Sequence, residues 1–179
     1  MKKKIIISGT SFLNPEHTSW KKILKSYSVE FLSYGNFANA LFSEKDYSVS
    51  IIVIYLQDLI EVNEKFDKAK KKLLPFLNLI KARVQSSNIK TIIAISKGSS
   101  EHKIKNAKTF SDIYYTFNWL IFKIEKIAKK TENLFQLNLD EVFSDYGNNK
   151  IFDNRNWYFA HCRYSSLGLK VIANSIKAI

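Results

Sequence analysis

The run Val49-Ser-Ile-Ile-Val-Ile-Tyr-Leu56 constrains the fold more than any other stretch. It is apolar almost throughout, as a strand covered on both faces must be. Ile5 to Ser8 has the same character, and Val29 to Ser33, Lys90 to Ser96 and Leu134 to Leu139 read as further strands. Between them lie segments of helical period. Thr18 to Tyr27 is expected to be a helix capped by Thr18 or Ser19, with Trp20, Ile23 and Leu24 inward. Phe37 to Phe42 reads as a short helix. Asn63 to Val84 reads as a long one, kinked or split at Pro75. Thr109 to Lys130 is long and amphipathic. A short helix runs to about Tyr146, and Leu167 to Ile179 closes the chain. Strand and helix alternate five times. That predicts an α/β fold: a five-stranded parallel sheet in a three-layer α/β/α sandwich.

A length of 179 residues suits a single domain over 1–179 with a real core. An apolar fraction of 46% and an aromatic fraction of 14% exclude a disordered chain. The net charge of +12 admits a polyanion partner. The lysines are scattered, however, and only Lys2–Lys4 and Lys68–Lys72 are dense. The charge is read as compositional bias, and nucleic acid is not the expected partner. One cysteine, Cys162, excludes an intrachain disulfide and fits a reducing compartment. No Cys/His spacing suggests a metal, and no motif suggests a cofactor. Lys2-Lys-Lys-Ile-Ile-Ile resembles the start of a signal peptide, but the apolar run breaks at Ser8-Gly9. No apolar stretch reaches the ~20 residues of a membrane span. The expected location is the cytoplasm.

In a parallel α/β sheet, ligands bind beyond the carboxyl ends of the strands. The residues predicted to gather there are Gly9-Thr10-Ser11, Gly35-Asn36, Gln57-Asp58, Ser96-Lys97 with Ser99, and Asp140. Ser11, on a tight turn, is a candidate nucleophile if a base is near, or else a turn cap. Gly35 and Asn36 can supply oxyanion donors, or form a plain turn. Gln57 offers an amide, and Asp58 either a site group or a helix cap. The segment Asp153 to Gly168 gathers Asp153, Arg155, Trp157, His161 and Arg163 before the last helix. Such a segment is where many α/β hydrolytic folds carry their general base. His161 is the leading candidate for it, ahead of His17 and His102. Arg155 and Arg163 are two of only three arginines in a lysine-rich chain. They suit bidentate recognition of an anion, or an ion pair with Asp153 or Asp145. Trp157 is a candidate pocket wall, whereas Trp119, spaced with Phe122, reads as core.

This pattern resembles the SGNH (GDSL-like) hydrolase superfamily, which has a flavodoxin-like three-layer fold. More closely it resembles the SGNH-like N-terminal domain of FkbH-type proteins. The residues that carry the likeness are Phe117-Asn-Trp-Leu120, Leu137-Asn-Leu-Asp140, Tyr146-Gly147, Asp153-Asn-Arg-Asn-Trp-Tyr158 and Tyr164-Ser-Ser-Leu-Gly168. The resemblance implies Ser11 as nucleophile, Gly35 as the second-block glycine and Gln57 in place of the third-block asparagine. Three parts depart from the pattern, and in the first of them the Gly-x-Asn-Asp block reads Tyr55-Leu56-Gln57-Asp58. Thr10 replaces the Asp before the nucleophile. With Gly168 set on the family's glycine, the Asp-x-x-His pair falls on Ala160 and Arg163. The implied activity is ester hydrolysis or O-acyl transfer on a carrier-linked or sugar substrate, with Thr10, Asp58, Asp153, Arg155, Trp157 and Arg163 contacting substrate. The alternative is a catalytically degenerate docking or recognition module. The implied partners are a haloacid-dehalogenase-type domain, which the helix ending at Ile179 leaves room for, or an acyl carrier protein. The implied setting is polyketide or surface-glycan biosynthesis.

Overall fold

Every strand pair is parallel. The computed structural model describes residues 2–33, 35–42, 47–61, 64–98 and 107–179. Among them, β1 (Lys3–Gly9), β2 (Tyr27–Phe31), β3 (Val49–Tyr55), β4 (Lys90–Ser96) and β5 (Leu134–Asn138) form one sheet. Its order is β2-β1-β3-β4-β5. The register sets Ile7 beside Ile51 and Phe31, and Ile51 beside Ile92. The helices are α1 (Thr18–Ile23), α2 (Phe37–Phe42), α3 (Phe66–Ser86), α4 (Ala107–Ala128), α5 (Leu139–Phe143), α6 (Asn148–Ile151), α7 (Asn154–Ala160) and α8 (Ser166–Ala178).

The two faces of the sheet follow from the period of two. Ile5, Ile7, Ile51, Val53, Ile92 and Ala94 pack under Trp20 of α1 and Leu169, Ile172 and Ile176 of α8. Ile6, Ile52, Ile54, Ile93 and Ile95 pack against α2, α3 and α4 through Leu41, Leu73, Ile80, Leu120 and Ile124. Each buried Ile or Leu contributes about 1.5–3 kcal/mol by leaving water, so both layers are needed. The chain therefore forms the expected three-layer α/β/α sandwich. From β1 it steps to β2 on one side and returns to β3 on the other. The β1/β3 boundary is the topological switch point, where the strand ends open a crevice.

Four local expectations shift. Strand β2 lies two residues earlier than read, because it is an edge strand and none of its residues is fully buried. Helix α1 ends at Ile23 and is capped by His17, whose Nδ1 accepts the Ser19 N–H at 3.4 Å. His17 therefore serves the backbone. Helix α3 runs unbroken through Pro75, which lies on its exposed side. The polar segment after Asp153 coils into α7. Among the described residues, no helix is long and apolar enough to cross a membrane.

Candidate active site

Thr10 and Ser11 leave β1 at the switch point, beside the end of β3. The Thr10 N–H donates to Val53 O at 3.1 Å, and its hydroxyl accepts the Tyr55 N–H at 2.9 Å. These bonds extend the β1–β3 ladder past its last residue and leave Ser11 facing the turn Leu56–Asp58. The Ser11 hydroxyl donates to Asp58 Oδ2. Thr10 Oγ1 lies 3.3 Å from the same oxygen. The other carboxylate oxygen, Oδ1, takes Arg163 Nη2 at 3.0 Å and Nε at 3.3 Å.

Arg163 is positioned by a short antiparallel pairing. Phe152 bridges Tyr164, the Asp153 N–H donates to Arg163 O at 3.0 Å, and the Ser165 N–H donates to Ile151 O at 2.8 Å. In this extended stretch Cys162 and Tyr164 turn into the core, and the residue between them reaches Asp58. The guanidinium also lies 5.0 Å from the Tyr55 ring centroid, a stacking that favours arginine over lysine.

The Ser11 side of this chain is closed to solvent. Ser11 is 2% exposed, and the Asp58 side chain 8%. Burial raises the Asp58 carboxyl above its usual value. The Ser11 hydrogen bond and the Arg163 charge pull the other way without cancelling it. Asp58 therefore gains basicity while Arg163 holds it in place.

A second carboxyl sits two strands away. Asp140 Oδ1 accepts the Lys97 N–H at 3.0 Å, and Oδ2 lies 3.8 Å from Lys97 Nζ. Burial pushes Asp140 from 3.8 to about 6, against the attraction of Lys97. Its folded value exceeds its unfolded one, so folding favours the protonated form. That stability is complete below pH 3.8 and is lost as pH rises through about 6. A rise of roughly two units corresponds to ~3 kcal/mol. The stability of Asp140→Asn relative to wild type should therefore rise by about 2–3 kcal/mol between pH 4 and pH 7. Urea melts across that range check it, and a pH-independent difference would rule the assignment out.

The other sequence candidates are dispersed. The Gly35 N–H, at φ +80, is donated to Gly9 O at 2.8 Å and is occupied in this conformation. Asn36 is exposed and its amide donates to Ser33 Oγ. Gln57 is half-buried on the turn before Asp58. Asp153 caps α7 by accepting the Arg155 N–H at 2.9 Å, while the Arg155 side chain is exposed. His161 is exposed at φ +50 and meets the Ser11 turn through its carbonyl, which accepts the Phe12 N–H at 2.9 Å. Arg163, read as a substrate contact, directs two of its nitrogens to Asp58. The Trp157 side chain, Ser99 and His102 lie outside the described residues. Among the described residues, no group of three or more His, Cys, Asp or Glu is gathered to hold a metal.

No protein-family model and no curated protein matches this chain. Solved structures do. The N-terminal part of a Bacteroides fragilis protein containing a phosphatase domain aligns over 98% of this chain and 50% of its own, at 19% identity and TM-score 0.74. A putative SGNH hydrolase from Slackia heliotrinireducens aligns over 99% and 98%, at 10% identity and TM-score 0.57. The chain has the SGNH hydrolase fold. A carbohydrate esterase of family 3 from Talaromyces cellulolyticus shares that fold over 99% of this chain and 95% of its own, at 11% identity and TM-score 0.57. The chain spans about half the length of the Bacteroides structure. Within the SGNH frame, Ser11 occupies the turn after the first strand. Arg163 reaches Ser11 through Asp58. From the sequence, Asp58 and Arg163 are both expected to contact substrate, but not to pair with each other. The available signal was an arginine where this chain otherwise uses lysine.

Proposed function

We propose that this chain carries out serine-based ester chemistry, as a hydrolase or O-acyltransferase, with Asp58 in the place of an imidazole base. One observation carries this reading: the Ser11 hydroxyl is donated to a buried carboxylate whose proton affinity is raised. In the first step the Ser11 proton moves to Asp58 Oδ2, and Oγ bonds to the acyl carbon. The ester C–O bond then breaks, and the leaving alkoxide takes the proton from Asp58. Water or an acceptor hydroxyl reverses the sequence and frees Ser11. Arg163 is a positioning residue that fixes Asp58. The esterase likenesses support an acyl group on a sugar hydroxyl as the substrate class, and the exposed Arg155 suits an anionic part of it. A carrier-linked acyl donor, a haloacid-dehalogenase-type partner domain and an acyl carrier protein belong to the same reading.

A second reading is favoured by burial. With Ser11 at 2% exposure and Asp58 clamped by Arg163, the same residues would serve a non-catalytic recognition module. A fluorophosphonate probe with adduct mapping by mass spectrometry separates the two. Labelling at Ser11 that disappears in Ser11→Ala, at a rate rising with pH as Asp58 loses its proton, supports the enzyme. Folded protein that stays unlabelled sinks it in favour of the module.

A further inference from the structure

The outer surface between α3 and α4 holds an open groove of about 600 Å³. Both helices lead from the carboxyl end of one strand to the start of the next. Their C-terminal halves, which line the groove, therefore lie at the opposite edge of the sheet from Ser11. The groove floor is apolar, built from Leu77, Val84, Trp119 and Ile127, with Leu74 47% exposed at its rim. Trp119, expected in the core, is half-buried, and Phe122 beside it is exposed. Hence part of the α4 apolar surface is left in solvent.

Lys81, Lys123, Lys126 and Lys130 flank this floor, and among the described residues no Asp or Glu lines it. None of the four lysines makes an ion pair among the described residues. This contrasts with Lys68, Lys70, Lys72 and Lys129, which pair with Glu64, Asp67 or Glu125 on or beside these helices. Lysine near a helix C-terminus is ordinarily explained by the macrodipole, worth a few tenths of a kcal/mol to about 1 kcal/mol in the last turn. Lys81 and Lys123 lie before that turn, so the dipole does not account for them. From Leu74 to Gln85 the groove runs ~16 Å at about 1.5 Å per residue, roughly three helical turns.

We propose that this groove docks an acidic amphipathic helix of a partner protein. Its apolar face would lie on Leu77, Trp119 and Ile127, and its carboxylates would meet the four lysines. The apolar floor favours a helix over a nucleic acid, which would need phosphate contacts alone. Because the groove faces away from the Ser11 edge, docking there does not cover that site, whichever function it has.

The test uses a fluorescein-labelled peptide of about 14 residues, built from Leu, Ala and Glu so that Leu forms one helical stripe and Glu its flanks. A scrambled peptide of identical composition, a single-stranded RNA oligomer and phosphatidylglycerol vesicles serve as comparisons. Binding is followed by anisotropy and by the Trp119 indole resonance. The expected result is micromolar binding of the patterned peptide, weakened at least about tenfold by scrambling and by Lys123→Glu/Lys126→Glu. These lysines are on the surface, and circular dichroism checks that the variant is folded. If the patterned peptide fails to bind, or if the scrambled peptide, RNA or vesicles bind as tightly, the proposal is overturned.

Discussion

Asp58→Asn is expected to lower acyl turnover by about 10²–10⁴-fold, the usual contribution of a positioned general base. The amide fills the same space and can still accept a hydrogen bond, but it cannot take the Ser11 proton. The wild-type acid limb should disappear along with the rate. Its midpoint lies above that of an ordinary aspartate because burial raises Asp58 more than the Ser11 hydrogen bond and Arg163 lower it. Below the midpoint Asp58 is protonated and inactive, so wild-type activity rises with pH. Asp58→Ala adds a stability effect. It leaves the Arg163 guanidinium without the carboxylate that takes both Nη2 and Nε. Stranding one member of a fully buried pair costs about 3–5 kcal/mol, and the partly exposed Arg163 should lose less than that. Asp58→Ala/Arg163→Met should recover much of that loss and none of the activity. Comparable turnover in Asp58→Asn and wild type would eliminate Asp58 as the base.

Gly168→Ala should destabilise the fold by about 3 kcal/mol, the upper part of the range for overpacked sites. A Cβ built there would lie 2.4 Å from Ile151 O and 3.3 Å from Tyr164 Cβ. Ile151 O is already held by the Ser165 N–H, and Ser165 Oγ caps α8 through the Gly168 N–H at 3.1 Å. Neither neighbour is the far end of a flexible side chain. Alanine's better helix propensity, worth up to about 1 kcal/mol, is too small to offset the clash. A melting temperature lower by about 6–12 °C is the expected reading for a chain of this size. The displaced segment carries Arg163, so the Asp58 pair should weaken as well. A variant as stable as wild type would show that α8 can move away from Ile151 at little cost.

The sheet was legible in the sequence because β1, β3 and β4 are covered on both faces and leave unbroken apolar runs. Edge strand β2 carries a weaker pattern and was read two residues late. Helix α7 was not visible: Arg155, Tyr158 and Phe159 are all exposed, so no apolar stripe marks it. The placing of Ser11 and Asp58 at one sheet edge was readable, since strand ends fix it. The Asp58–Arg163 pair was not. Local reading sought the partner of Arg163 in Asp153 or Asp145, whereas the fold brings it from 105 residues away. The same holds for His161, whose carbonyl meets Phe12.

That separation has a kinetic consequence. A contact spanning 105 positions brings its entropy cost before its reward, so it belongs to the late steps of folding. At typical synthesis rates, about 5–20 s pass between the appearance of Asp58 and that of Arg163. Through that interval a nascent chain has Ser11 and Asp58 in hand but no guanidinium to hold Oδ1 of the carboxylate. The guanidinium clamp therefore cannot close until nearly all of the chain has been made.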